Sequence, residues 1–403
     1  MLGRLRSRSR RASVALLAVF LLVFAVPTPA HADEVRASQI TLLRALDVYE
    51  AWEVTKGKGV VVAVLDSGVD AQHQDLANAV ITGRDFTAGA NPPGVRASRL
   101  HGTYMASLIA GRGHGPGRRD GLVGVAPHAK ILSVRVILER NEPGFATFNN
   151  SRHYENTVAD GIRYAVNQGA DVINMSISKQ YPKAAERKAI QYAIAKGVVV
   201  VAAAGNDGRR QTGKLRLTPY SYPASFPGVI SVAAVDQAYV PASFSNRNSS
   251  VLVAAPGVDV LGAGPGNDYW VGKGTSQATA FVSGVAALIK AKYPDMAPAL
   301  VAQAITAGAQ KRPISGYDPG VGFGVVSAYA ALAEAKKISR FGLSASGHDP
   351  AQPFGPPMGP VPVVEREHGL IALYGGIAAA AALGAIGSVG TIVVFVRRTR
   401  RTS

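Results

Sequence analysis

Five apolar, β-branched runs recur along this 403-residue chain and constrain its fold more than any other feature. They are Val60–Leu65, Ile131–Val136, Val172–Met175, Val198–Ala203 and Val229–Ala234. Each is short and dominated by valine, isoleucine or alanine, the pattern of a strand buried on both faces. Helical patterns stand between them at Gly102–Ala110, Asn156–Gln168 and Lys183–Lys196, and an apolar helix runs from Ser276 to about Lys292. Strands alternating with helices predict an α/β domain with a mostly parallel sheet covered on both faces. Such a sheet binds ligands beyond the carboxyl ends of its strands. Apolar residues make up 47% of the chain, enough for a core of roughly 250–300 residues and too many for a disordered protein.

Three short islands carry the chemistry: Val64-Leu65-Asp66-Ser67-Gly68, His101-Gly102-Thr103 and Gly274-Thr275-Ser276. A serine hydroxyl is a poor nucleophile at neutral pH; it needs a base, and the base needs a group that fixes its tautomer. Ser276 opens an apolar helix, where the helix dipole favours developing negative charge. His101 is the candidate base, with Gly102 allowing close backbone approach. Asp66, at the end of a strand run, is the candidate partner of His101. Ala203-Ala204-Gly205-Asn206 ends another strand run, so the Asn206 amide and the Ser276 N–H are candidate oxyanion donors. The chain has no cysteine, which excludes a disulfide framework, a thiolate zinc site and a Cys nucleophile.

These residues resemble the motifs of the subtilisin-like serine proteases, the subtilases. Val62 to Val69 resembles the family's Asp motif, His101 to Gly111 its His motif, and Gly274 to Gly284 its Ser motif. The order Asp, His, Ser is the one subtilisin uses. Gly169 to Ser176 and Val199 to Asn206 match two further family stretches, so the resemblance covers about Ala51 to Lys336. It implies a subtilisin-like three-layer fold, a catalytic triad of Asp66, His101 and Ser276, an oxyanion hole with Asn206, and acyl-enzyme chemistry. Substrate-binding positions are implied at Ser176, Ile177 and Ser178, where an extended peptide would add as a strand, and at Ala203, Ala204 and Gly205.

The chain departs from the family pattern at Gln277 and Ala280, where Met and Pro are usual, and at Ser107 and Ser178, where Gly is usual. Gln39 and Asp75 match ligands of a calcium site in some subtilases. The stretch Gly111–Gly121, read as a surface loop, offers only Asp120 among several arginines, and calcium needs about six to eight oxygens. No metal or other cofactor is therefore expected. His114, His128 and His153 read as surface histidines.

Residues 1–32 have a basic start (Arg4, Arg6, Arg8, Arg10, Arg11), an apolar stretch from Ala15 to Val26 and a small-residue site at Ala30-His31-Ala32. This is the pattern of a secretory signal peptide; an uncleaved anchor is the rival reading. Residues 33–55 form a short lead-in and 56–340 the catalytic domain. Residues 341–369 are a Pro- and Gly-rich linker. Residues 370–396 include no charged side chain and are long enough for a transmembrane helix. The tail 397–403 is arginine-rich, which holds it in the cytoplasm and the catalytic domain outside. Setting aside the nine arginines of the two ends lowers the net charge from +17 to +8. No nucleic-acid module is visible, and none is expected as a partner.

Signal, subtilase domain, linker and single span together resemble the mycosins, membrane-anchored subtilases associated with type VII secretion. The resemblance implies a serine endopeptidase that processes exported proteins at the cell membrane, with a type VII secretion complex as partner. Two other functions fit the same segments: a mainly structural component of such a complex, and a general degradative surface protease.

Overall fold

The valine-rich runs form the centre of a seven-stranded sheet in the computed structural model, which describes residues 32–210 and 217–340. The strands are β1 (Val61–Asp66), β2 (Val80–Asp85), β5 (Lys130–Arg135), β6 (Val172–Met175), β7 (Val199–Ala203), β8 (Ile230–Val235) and β9 (Val253–Pro256). Their order is β2-β5-β1-β6-β7-β8-β9, and every neighbouring pair is parallel. β3 (Arg112–His114) pairs with β4 (Asp120–Val123), and β10 (Val260–Ala263) with β11 (Tyr269–Gly272), each as a separate antiparallel hairpin.

The helices are α1 (Ala32–Ala45), α2 (Val48–Trp52), α3 (Leu100–Ala110), α4 (Phe145–Asn150), α5 (Thr157–Asn167), α6 (Ala184–Ala195), α7 (Thr275–Lys292), α8 (Pro298–Ala307) and α9 (Ala328–Ser339). Side chains along each strand alternate between the two faces of the sheet. Val62, Val64, Ile131, Val172, Val199 and Val201 pack with Met105 and Leu108 of α3 and Phe281 of α7. Ala63, Leu65, Leu132, Val134, Ile173 and Val200 pack with Ile162 of α5 and Ile190 of α6. The result is three layers, helices on both sides of a parallel sheet.

Helix α7 is buried from Thr275 to Lys290, as expected of a helix that is apolar on every side. Its Phe281 is fully enclosed, a burial that stabilises the fold by about 1.5–3 kcal/mol. Sequence order reverses at β1: β5 and β2 lie to one side, β6 to β9 to the other. A crevice at the carboxyl ends of strands flanking such a reversal is where α/β sheets bind ligands. Asp66 ends β1 there, and Ser176 follows β6.

Two expectations need correction. The stretch read as a loop at 111–121 contains β3 and runs into β4, because the chain folds back on itself and pairs Arg112 with Val123 and His114 with Asp120. Ser176–Ser178 is not a sheet strand: β6 ends at Met175, and beyond it an isolated antiparallel bridge joins Lys179 to Tyr222. Among the described residues no helix is long and apolar enough to cross a membrane. The expected transmembrane helix at 370–396, the linker, the tail and nearly all of the signal segment lie outside the described residues.

Candidate active site

Asp66 and His101 meet directly. Imidazole Nδ1 lies 2.8 and 2.9 Å from the two carboxylate oxygens of Asp66, which is fully buried while the His101 side chain is one-third exposed. Asp66 Oδ1 also accepts the Ser67 N–H at 2.7 Å. The His101 side of the pair is set by α3. Its first turn is tied down by Thr103, whose hydroxyl donates to the Arg99 carbonyl and accepts from the Asp70 N–H. Gly102 is required by contact: a Cβ there would run into the Gly68 carbonyl. Burial works against the charged imidazole. The Asp66 carboxylate, its hydrogen bond and the nearby Glu139 outweigh that, so the His101 pKa is held above its ordinary value.

Ser276 lies in the first turn of α7 and is nearly buried. Its carbonyl accepts from Ser176 Oγ at 3.2 Å, and Ser176 in turn accepts from Asn174 Nδ2. Ser283 of α7 donates to Asn174 Oδ1 at 2.9 Å. Asn174 thus fastens α7 to β6 beneath the candidate nucleophile. Helices α3 and α7 pack against each other. That contact sets the helix bearing His101 beside the helix bearing Ser276. Among the described residues no hydrogen bond joins His101 to Ser276 themselves. Such bonds are often long without substrate and tighten in its complex.

Asn206 follows β7 through Gly205, whose φ of +108° is a backbone state that glycine adopts without strain. Asn206 Oδ1 accepts from the Thr275 N–H and hydroxyl, both at 3.0 Å. This fixes which way the carboxamide faces and leaves its N–H₂ directed to the other side. Asn206 Nδ2 and the Ser276 nitrogen both border the space beside Gly274: a Cβ there would lie 3.5 Å from the first and 3.7 Å from the second, with Gln277 Oε1 nearer at 2.9 Å. Two N–H donors flanking one small space can hold an oxyanion.

Three of the implied substrate-binding residues, Ala203, Ala204 and Gly205, are buried at the end of β7, as are Ser176 and Ile177 beyond β6. Ser178 is exposed, and its hydroxyl lies 2.9 Å from where a Gly205 Cβ would sit. It is also 2.5 Å from the hydroxyl of buried Ser221. Where many subtilases carry glycine, this chain therefore carries a hydroxyl pair. Ser107, the other such departure, bonds the Tyr104 carbonyl and the Ala263 N–H and so ties α3 to the β10 hairpin.

Asn246 went unrecognised in the sequence. It is buried; its Oδ1 accepts the Asp207 N–H at 2.8 Å, its Nδ2 donates to the Ala204 carbonyl at 2.8 Å, and its own N–H reaches the Gly205 carbonyl at 3.0 Å. It therefore grips the residues on both sides of Asn206. Nothing in the local sequence Phe244-Ser245-Asn246-Arg247 marks it, since its partners are some forty residues away.

The calcium site that the resemblance raises does not fit this chain. Asp75 is fully buried, and its oxygens accept from the Leu122 N–H at 2.8 Å, the Tyr269 hydroxyl at 2.7 Å and His114 Nδ1 at 2.6 Å. Gln39 Oε1 accepts the Val123 N–H at 2.8 Å. The carbonyl oxygens of Arg118, Asp120 and Gly121 accept from the Arg36 guanidinium at 2.7–3.1 Å. A side-chain cation already takes the carbonyls. His114 is accordingly no free surface histidine, whereas His128 and His153 are exposed. Lead-in helix α1 packs on β4 and β10.

A mostly parallel α/β sheet with a histidine on a buried aspartate, a serine at a helix start and two neighbouring N–H donors defines a subtilisin-like serine-type endopeptidase. Residues 57–324 match the subtilase family, Peptidase S8, and the chain belongs to it. It is 39% identical over 283 residues to a thermophilic serine proteinase of Bacillus sp. (strain AK1), covering 70% of this chain and 64% of that protein. It is 37% identical over 329 residues to mycosin-1 of Mycobacterium tuberculosis (strain ATCC 25618 / H37Rv), covering 71% of each. Among solved structures it resembles MycP1 from the ESX-1 type VII secretion system, at 31% identity and a TM-score of 0.61 over 72% of this chain and 85% of that one. MycP1 from Mycobacterium smegmatis is similar at 30% identity and the same TM-score, over 81% and 88%.

Proposed function

We propose that Ser276 attacks a peptide carbonyl, with His101 as general base and then general acid and Asp66 orienting His101. The observation that carries this reading is the bifurcated contact of His101 Nδ1 with both Asp66 oxygens at 2.8 and 2.9 Å, with His101 on a helix packed against the one that Ser276 opens. The serine proton passes to His101 Nε2 as the Ser276 Oγ–carbon bond forms. The tetrahedral oxyanion takes N–H donors from Asn206 and Ser276. Collapse expels the amine with the proton returned by His101, and water then releases the acid from the acyl-enzyme by the same route.

The substrate lies extended along Ser176–Ser178, with the side chain before the cleaved bond set between that segment and Ala203–Gly205. The Ser178–Ser221 hydroxyl pair narrows this space and favours a small side chain. The likeness to mycosin-1 and to MycP1 from a type VII secretion system supports a role in processing exported proteins. The apolar stretch 370–396 and the arginines after it support anchoring with the catalytic domain outside the membrane.

The test is labelling of the purified protein with a fluorophosphonate probe, beside peptide hydrolysis by Ser276→Ala. Labelling of the parent, none of the variant, and a drop in turnover of several orders of magnitude are expected. Unchanged turnover in Ser276→Ala overturns the assignment. Comparing exported proteins from cells carrying the parent or this variant then identifies processed substrates. Intact export with Ser276→Ala, but loss of export on deletion, assigns a structural role instead.

A further inference from the structure

A second carboxylate stands behind the Asp66–His101 pair. Glu139 lies just past the end of β5 and is partly buried. Its Oε1 accepts the Ser67 hydroxyl at 2.6 Å and the backbone N–H of His101 at 2.9 Å. Its Oε2 accepts the Ser98 hydroxyl at 2.8 Å. Ser67 then accepts the Gly102 N–H at 3.1 Å, and its own N–H goes to Asp66. One carboxylate thus ties the residue after the acid, the residue that is the base, and the turn that leads into the base's helix.

We infer that Glu139 is a positioning residue for the proposed triad, holding His101 and the Asp66–Ser67 turn in register and adding negative charge behind the imidazole. This rests on the catalytic roles proposed above. The physical reasoning has two parts. An N–H at the first turn of a helix has no intrahelical partner, and the carboxylate satisfies that of His101 while favouring the helix dipole. A negative charge close to an imidazole also favours its protonated form.

Glu139 is itself held: its N–H donates to Glu142 Oε1 at 2.9 Å, and Glu142 Oε2 accepts from Arg135 and Asn91, each at 2.6 Å. The charged groups around the site are Asp66 and Glu139 beside His101, with Glu142 behind Glu139, and Arg99 and Arg135 flanking Gly68. Both arginines oppose the effect of Glu139, but Arg135 is engaged by Asp85 and Glu142.

The test uses Glu139→Gln and Glu139→Ala, read by the pH dependence of kcat/KM on a peptide substrate. Gln keeps the shape and the acceptor oxygen and removes the charge. Its acid limb should move to lower pH by about half a unit to one unit. Ala removes the ties as well; kcat should fall about ten- to a hundredfold with KM near that of the parent. An acid limb of Glu139→Gln superimposable on the parent's overturns the electrostatic role. Parent-like kcat in a folded Glu139→Ala overturns the positioning role. Where Glu139→Ala does not fold, Glu139→Gln alone decides. Ser276→Ala, assayed alongside, separates failure of this inference from failure of the triad assignment: an active Ser276→Ala sinks the triad, and an inactive one leaves Glu139 judged on its own variants.

Discussion

Replacing Asn246 by alanine should disable the oxyanion donor without touching it. The side chain makes two hydrogen bonds, to the Asp207 N–H and the Ala204 carbonyl, at 2.8 Å each. Alanine leaves that donor and that acceptor without partners at a site where Asn246 and Ala204 are each only 1% exposed. Each unsatisfied group costs about 1–3 kcal/mol, so the variant should lose about 2–6 kcal/mol and roughly 4–24 °C in Tm. The backbone tie from residue 246 to the Gly205 carbonyl survives, so the loop is loosened rather than released. Asn206 should then spend less time facing the oxyanion. In subtilisin, complete loss of such a donor is known to cost about a hundred- to a thousandfold in turnover. A loosened loop should cost about ten- to a hundredfold in kcat, with KM little changed. Stopped-flow acylation by an activated ester measures the step directly, and differential scanning calorimetry the stability. A variant that loses stability but acylates at the parent's rate would refute the reasoning, because it would show the loop to be held by something else.

Asp66→Asn should move the acid limb of the residual activity to lower pH, since the carboxylate is what holds the His101 pKa up; a pH–rate profile with an unmoved limb contradicts this. The sign for stability is opposite to that for activity: a raised histidine pKa contributes stability in acid that is lost as pH rises through the folded-state value, and chemical denaturation across that range checks it. Gly102→Ala forces a methyl into the Gly68 carbonyl, and should cost about 1–3 kcal/mol or more together with most of the activity; a parent-like Tm and kcat would contradict the close approach. Ser178→Gly removes one half of the hydroxyl pair and should raise kcat/KM for substrates with a large side chain before the cleaved bond relative to alanine; a peptide library with an unchanged ratio rules out the narrowing. Arg36→Ala should lower Tm, while chelator leaves the parent's Tm unmoved; a chelator-sensitive parent contradicts the assignment of Arg36 to the carbonyls.

Much of the fold was legible because buried parallel strands announce themselves: Val172–Met175 falls where it was expected, and the other four predicted runs are shifted by one residue at most at each end. β2 was missed because Val80-Ile81-Thr82-Gly83-Arg84-Asp85 is an edge strand with only partial burial and no apolar run. β9 was missed because Val253–Pro256 is short and ends in proline. At the site, Asp66, His101, Ser276 and Asn206 were visible because each sits in a motif at the end of a strand or the start of a helix. Glu139, Asn246 and Asn174 were not, because their work is done through partners 38 to 109 residues distant. No local pattern encodes such a bond. Arg36 was hidden for the same reason, and in addition because a cation in place of a metal leaves no ligand motif to read.

Helix α1 gives this protein a counter-ion that cannot be diluted. A bound metal occupies its site only as far as its free concentration exceeds its dissociation constant, so the stability it confers varies with the surroundings. A guanidinium carried on the same chain has an effective concentration set by the backbone that tethers it. Its occupancy is therefore a property of the sequence, the same in a calcium-rich medium as in a calcium-poor one. The cost is that the lead-in cannot be shed freely: proteolysis ahead of β1 that removed Arg36 would act on this domain as demetallation acts on a metal-dependent one.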